Sequence, residues 1–184
     1  IIRNCDVTGD QYYAIVLMPD KYPNASFSVE YCTVRSSVNG VAGVGRVYRC
    51  DLSNCDNGVN VWGMITIEEC FIHDLGFSVG GHNDGIENNG SPMTVKNCRI
   101  VASPENDTSA IMTNNTFGRL YDVLIEENYL EGGQYTLYCD TRASPKNMPV
   151  VNFVVRNNII KRGRYGFAAL FNSGVVIDRS NQIL

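Results

Sequence analysis

Residues 95–100 read VKNCRI. An aliphatic residue stands three places before Cys98 and another two places after it. The same frame holds four more cysteines: IRNCDV around Cys5, VEYCTV around Cys32, VYRCDL around Cys50 and IEECFI around Cys70. Two further copies carry asparagine in the slot, IEENYL at Asn128 and VRNNII at Asn158. An incomplete last copy, DRSNQI, sets Asn181 in the slot but puts Asp178 where an aliphatic belongs. Successive slots are 27, 18, 20, 28, 30, 30 and 23 residues apart. A fixed core pattern with variable spacing is the signature of a solenoid whose loops differ in length.

A second apolar position follows each slot. It falls nine residues on at Val41, Val59, Leu137 and Phe167, and at Ile15, Ile86 and Ile111 after other intervals. Its surroundings alternate apolar and polar residues, which reads as short strands. No segment carries a 3.6-residue period with caps at both ends. The shortest interval, Cys32 to Cys50, leaves room for three short strands and turns but not for a helix. The slot recurs once in each coil. Coils about 4.8 Å apart stack equivalent residues on one another, and a small side chain that bonds a turning backbone suits that place. Five of the seven cysteines are therefore expected as free, buried thiols, because parallel Cβ vectors give the wrong dihedral for a disulfide. Cys55 and Cys139 lie outside that column.

Composition narrows the function classes. The chain has 184 residues, is 44% hydrophobic and 18% charged, and carries a net charge of −4. It shows no Lys/Arg cluster, which argues against a nucleic-acid partner. No apolar run approaches the length of a transmembrane helix, so no membrane partner is expected. No C-x2-C pair suggests zinc.

The repeated V-x-x-[C/N]-x-I copies, over nearly the whole chain, resemble those of the right-handed parallel β-helices of the pectate-lyase-like superfamily. The resemblance implies an all-β, single-stranded, right-handed parallel β-helix of about seven coils, with an inward Cys/Asn ladder. It also implies one domain over residues 1–184, an extracellular, secreted or virion-associated setting, and a polysaccharide partner. HNDGIENN, residues 82–89, resembles the H-x-D-G-I-[Q/E] signature found in bacterial polysaccharide enzymes and phage tail proteins. The match covers His82, Asp84, Gly85, Ile86 and Glu87. The N-T-D, adjacent D-D and R-I-K sets of polygalacturonases are missing. No acidic cluster builds the calcium site of a pectate lyase, so no cofactor is expected. The chain opens on a repeat and stops on a failing one without capping helices. It is therefore expected to be a fragment, or to have a homotrimer or flanking domains over its ends.

Loop lengths locate a site. Long insertions leave the second strand on one side of the solenoid (residues 18–26, 88–92, 113–122 and 139–149), and others precede it on the opposite side (73–83 and 101–108). The strand face between two rows of loops becomes the floor of a groove. With Val59, Ile86, Ile111 and Leu137 inward, alternation turns Asn60, Trp62, Glu87, Asn89, Asn114, Tyr138 and Asp140 outward. His82, Asp84 and Arg142 fall at the edges. Acids, amides and aromatics suit a sugar. Glu87 and Asp140, about 10 Å apart by strand spacing, are expected near the carboxylate separation of an inverting glycosidase, about 6.5–9.5 Å. The expected catalytic residues are His82, Asp84, Glu87 and Asp140; the expected substrate-binding residues are Asn60, Trp62, Asn89, Asn114, Tyr138 and Arg142. Two readings stay open: a lyase or glycoside hydrolase, or a non-catalytic module of a phage spike or adhesin that only binds glycan. Asp84 also reads as a turn residue, in a column with Asn39 and Asn57. Three N-x-[ST] sequons, at Asn24, Asn106 and Asn114, are expected in loops or at loop edges.

Overall fold

The computed structural model describes residues 1–9, 11–18, 25–78, 80, 82–90, 92–142, 150–171 and 174–184. These residues form a parallel β-solenoid of about six turns with no helix. The sequence suggests about seven coils; the last slot copy, with Asp178 in an aliphatic position, closes only two short strands, Val176–Ile177 and Gln182–Ile183. Every pairing between strands is parallel, and one isolated antiparallel bridge joins Ser109 to Gly133.

Each slot sits at a corner between two faces. The residue before the slot has a left-handed backbone in every complete copy: Asn4, Tyr31, Arg49, Glu69, Asn97, Glu127 and Asn157, with φ between 50° and 57°. Asparagine tolerates that region, but tyrosine, arginine and glutamate do not favour it. The slot side chain offsets that cost by satisfying the turning backbone. The thiols of Cys5, Cys32, Cys50, Cys70 and Cys98 lie 3.2–3.3 Å from the carbonyl two residues back. Those of Cys50, Cys70 and Cys98 also face a carbonyl of the preceding coil at 3.5–3.6 Å. Asparagine does more in the same slot. Asn128 donates to Val95 O at 3.0 Å and to Asn158 Oδ1 at 3.0 Å, and its own Oδ1 accepts the Cys98 N–H at 2.8 Å. Asn158 repeats the pattern toward Ile125 O and Asn181 Oδ1.

The flanking aliphatics stack in the register that the repeat implies. Val29 pairs with Val47, Val47 with Ile67, Ile67 with Val95, Val95 with Ile125 and Ile125 with Val155. These six are buried, as are Val34, Leu52, Ile72, Ile100, Leu130 and Ile160 on the far side of the slot. Each such side chain contributes about 1.5–3 kcal/mol. The third face carries Ile15, Val41, Val59, Ile86, Ile111 and Leu137 in one column. The expectation slips by one residue in the last coil, where Ala168 rather than Phe167 pairs with Leu137. The extra residue is taken up in a turn in which the Gly163 N–H donates to Gly166 O. In the two shortest coils the strands run together as Thr33–Tyr48 and Asp51–Glu68. The first bends at Gly43 (φ 130°), where a Cβ would lie 2.0 Å from Leu17 O.

All seven cysteines are free; Cys5 is exposed and the other six are buried. Burial pushes the Cys32, Cys55 and Cys139 thiols up. Its hydrogen-bonded neighbour Cys70, together with burial, pushes the Cys50 thiol far up. Thiolate is the reactive form. In the native 184-residue chain a disulfide reagent at mildly alkaline pH is therefore expected to label Cys5 alone. The remaining six should react only after denaturation, and rapid native labelling of Cys50 or Cys98 would contradict the ladder.

The unequal bonding of the two slot residues gives a second test. Asn128→Ala strands several buried backbone and amide groups and should cost about 3 kcal/mol, whereas Cys98→Ala, which loses only weak thiol bonds, should cost about 1 kcal/mol. Urea unfolding midpoints measure both; equal losses would show that the asparagine bonds do not carry the corner.

Candidate functional site

A void of about 10 Å³ among Leu137, Phe153, Val155 and their neighbours holds one water at most. The third face is different. On its outer side lies a cleft of about 410 Å³ lined by Tyr13, Asn60, Val61, Trp62, Glu87, Asn89 and Phe117. Four residues expected at the groove floor from alternation are thus together: Asn60, Trp62, Glu87 and Asn89. Two others, Tyr13 and Phe117, were not expected there. Tyr13 is the first residue of Tyr13–Leu17, three coils before Glu87, and Phe117 lies in the turn after Ser109–Asn114.

Glu87 is anchored from below. Its Oε2 accepts the amide N–H groups of Asn57 at 3.0 Å and Asn60 at 2.9 Å. Both amides also donate to Asn39 Oδ1, at 3.1 and 3.0 Å. The Asn60 Oδ1 in turn accepts the Trp62 indole N–H at 3.0 Å. Asn60 therefore spends its hydrogen-bonding groups on protein partners and positions two cleft residues, the indole and the carboxylate. Asn39 and Asn57, which the sequence suggests as turn residues, are buried strand residues paired with each other and, through Asn57, with Asp84. Glu87 Oε1 has no partner among the described residues. Asn89 Oδ1 accepts from Asn114 Nδ2 at 2.7 Å.

The rings stand around this floor. Tyr13 and Trp62 meet edge to face, centroids 5.4 Å apart and planes at 87°. They are 43% and 41% exposed, and Phe117 is 86% exposed. Such exposure of large apolar side chains within one cleft marks a contact surface.

His82 reaches the edge from the long excursion after Phe71–His73. Buried polar groups hold that excursion down. Asp56 accepts the N–H groups of Phe77 and Ser78, both at 2.8 Å. Asn83 donates to Asp107 Oδ1 at 3.1 Å, and burial pushes the Asp107 carboxyl up. Asp84 is fully buried and accepts from Ser109 Oγ. Its Oδ2 lies 2.7 Å from His82 Nδ1, an exposed imidazole. The Asp84 carboxylate beside it raises the His82 pKa above its ordinary value; burial opposes this, and the Glu87 charge adds to it.

The other half of the expected site stands apart. Asp140 is held by Arg142, whose Nε and Nη2 approach its two oxygens at 2.9 and 2.7 Å, and this keeps its carboxyl below the usual range. Arg142 also lies over the Phe171 ring at 4.1 Å, and Tyr138 packs on the same ring. In the pairing register Glu87 stands under Met112 and Tyr138, while Asp140 stands over Asn114, two residues further along. Two coil rises and two strand residues separate the two acids by about 12 Å between Cα atoms. Glu87 leans toward Asn57 and Asn60, away from Asp140. Asn114 is buried and ends its strand, with its amide given to Asn89 and its Oδ1 to the Thr116 N–H. Asn106 is exposed in a turn, and Asn24 lies outside the described residues. So do parts of the expected groove walls, residues 19–24, 79, 81, 91 and 143–149.

No cluster of three or more His, Cys, Asp or Glu side chains among the described residues is arranged to hold a metal ion. Comparison with protein families, with curated proteins and with solved structures returned no match.

The His82–Asp84 contact has a defined pH signature. Because the folded value is raised, the pair stabilises fully below the ordinary histidine value of 6.5 and loses that contribution as pH rises through the folded value. An NMR titration should place the His82 midpoint above that of a free histidine, and Asp84→Asn should bring it down. An unshifted midpoint in the parent chain would remove the contact.

Proposed function

We propose that this chain is a glycan-binding β-helix of the pectate-lyase-like kind, acting on an extracellular or cell-surface polysaccharide along its third face. The observation that carries the reading is the outer cleft whose lining brings Tyr13, Trp62 and Phe117 together with Glu87 and Asn89. A sugar ring presents an apolar C–H face and a rim of hydroxyls; aromatic rings take the first, and carboxylate and amide groups the second. Both kinds of group are fixed before a ligand arrives, which lowers the entropy lost on binding.

Trp62 is the only tryptophan, so its emission reports on the cleft directly. Oligosaccharides of several backbones, screened by Trp62 fluorescence, should include at least one that shifts or quenches the signal. Calorimetry on Trp62→Ala should then show about tenfold weaker binding or worse, a loss of about 1.4 kcal/mol. If no oligosaccharide moves the emission, the reading fails.

A second reading, cleavage, draws on the His82 imidazole held by Asp84 beside Glu87. A histidine so oriented suits general acid–base work near neutral pH. Assaying the same mixtures for new reducing ends separates the two readings. Chain cleavage that is lost in His82→Ala supports the enzyme, and binding without product supports the receptor-type module.

A further inference from the structure

The cleft has a one-sided charge. Its described lining holds one carboxylate, Glu87, and no Lys, Arg or His. Beside this face His82 lies against Asp84, and Arg142 pairs with Asp140. Glu87 Oε2 is saturated by Asn57 and Asn60, and both donors are themselves braced on Asn39. That brace keeps the carboxylate at the floor and leaves Oε1 without a partner among the described residues. Above the floor the negative faces of aromatic rings add to the same sign of potential. Tyr13 and Trp62 meet at 87°, forming two walls of a corner, and Phe117 is a third ring in the cleft.

A carboxylate among aromatic faces attracts a positive group and repels a negative one. A cation over an aromatic face within about 6 Å gains roughly 0.5–1 kcal/mol at exposed sites and more when desolvated, and an N⁺–H donor to a carboxylate adds a charge-assisted hydrogen bond. An acidic sugar meets the opposite: its carboxylate faces Glu87 without a cation in the described lining to bridge the two.

We propose that the Tyr13–Trp62–Phe117 cleft recognises a sugar bearing a free ammonium group, with Glu87 Oε1 receiving the ammonium and the rings packing around it. This rests on the glycan reading above and names its substrate class: polysaccharides of unacetylated amino sugars, in preference to neutral or acidic ones. In this arrangement Asn60 and Asn57 are positioning residues that act through Glu87.

Three hexasaccharides of equal length test it at about pH 6, below the ordinary range of amines. They are a glucosamine hexamer, its fully N-acetylated counterpart and a galacturonate hexamer, each titrated against Trp62 emission. The glucosamine hexamer should bind at least about tenfold tighter than the acetylated one, weaken with added salt, and outcompete the galacturonate. Glu87→Gln, which keeps an acceptor for Asn57 and Asn60, should level the three affinities while leaving the melting temperature near that of the parent. Asn60→Ala should reduce the preference in the same direction. Equal or tighter binding of the acetylated or acidic hexamer overturns the ammonium assignment but leaves glycan binding standing. Silence from all three, alongside silence from the wider screen, removes both.

Discussion

The corner between the first two faces of each coil sets the rest of the structure. Its backbone must turn left-handed at one residue, and it does so at tyrosine, arginine and glutamate as readily as at asparagine. What makes that tolerable is the next side chain, a cysteine or asparagine that turns inward and bonds the carbonyls of its own coil and the one before. From Cys32 on, each slot side chain bonds a carbonyl of the coil before it, so the corners stack. Asn128 accepts from Cys98 N–H and donates to Asn158 Oδ1, so three coils share one hydrogen-bonded column. With the corners in line, the aliphatics on either side are in line too, and burial of those columns supplies the main driving force.

Stacking in register has a consequence on the outside. The column two residues before the slot alternates in charge along the later coils, Glu68, Lys96, Glu126 and Arg156, so direct neighbours attract. Glu126 lies between Lys96 and Arg156, and the Arg156 hydrogen bond holds its carboxyl below the usual range. Exposed pairs contribute little each. A one-residue slip, however, would carry the apolar set to the wrong face. The third face puts the same register to another use. Asn39, Asn57 and Asn60 meet Glu87 across coil boundaries because parallel strands hold them at a fixed rise.

The slot copies were legible in the sequence because they combine a small polar or thiol residue with flanking aliphatics at fixed offsets. Even so, Phe167 was misaligned by one residue, since a turn can absorb an extra residue without disturbing the apolar pattern. Asn60, Trp62, Glu87 and Asn89 were legible as outward residues from simple alternation. Their companions were not. Tyr13 belongs to the first coil and Phe117 to a turn, and nothing in a one-dimensional pattern brings either to Trp62. Asn39 and Asn57 looked like turn residues because asparagine before glycine usually is one. Asp140 looked like a partner for Glu87 because counting coils predicts height along the solenoid but not where a side chain leans; Arg142, two residues away, takes it instead.

The sequence by itself determined the coil, because strand period, slot residue and aliphatic offset are local quantities repeated often enough to be read. It determined which residues of the third face point outward for the same reason. Only the tertiary structure decided which of them meet. Hydrogen-bond partners beneath the cleft come from coils 18 to 30 residues apart in the chain, and their contacts depend on rotamers and on competing neighbours. That is why one expected acid, Glu87, sits braced under three aromatic rings while the other, Asp140, is closed off by an arginine.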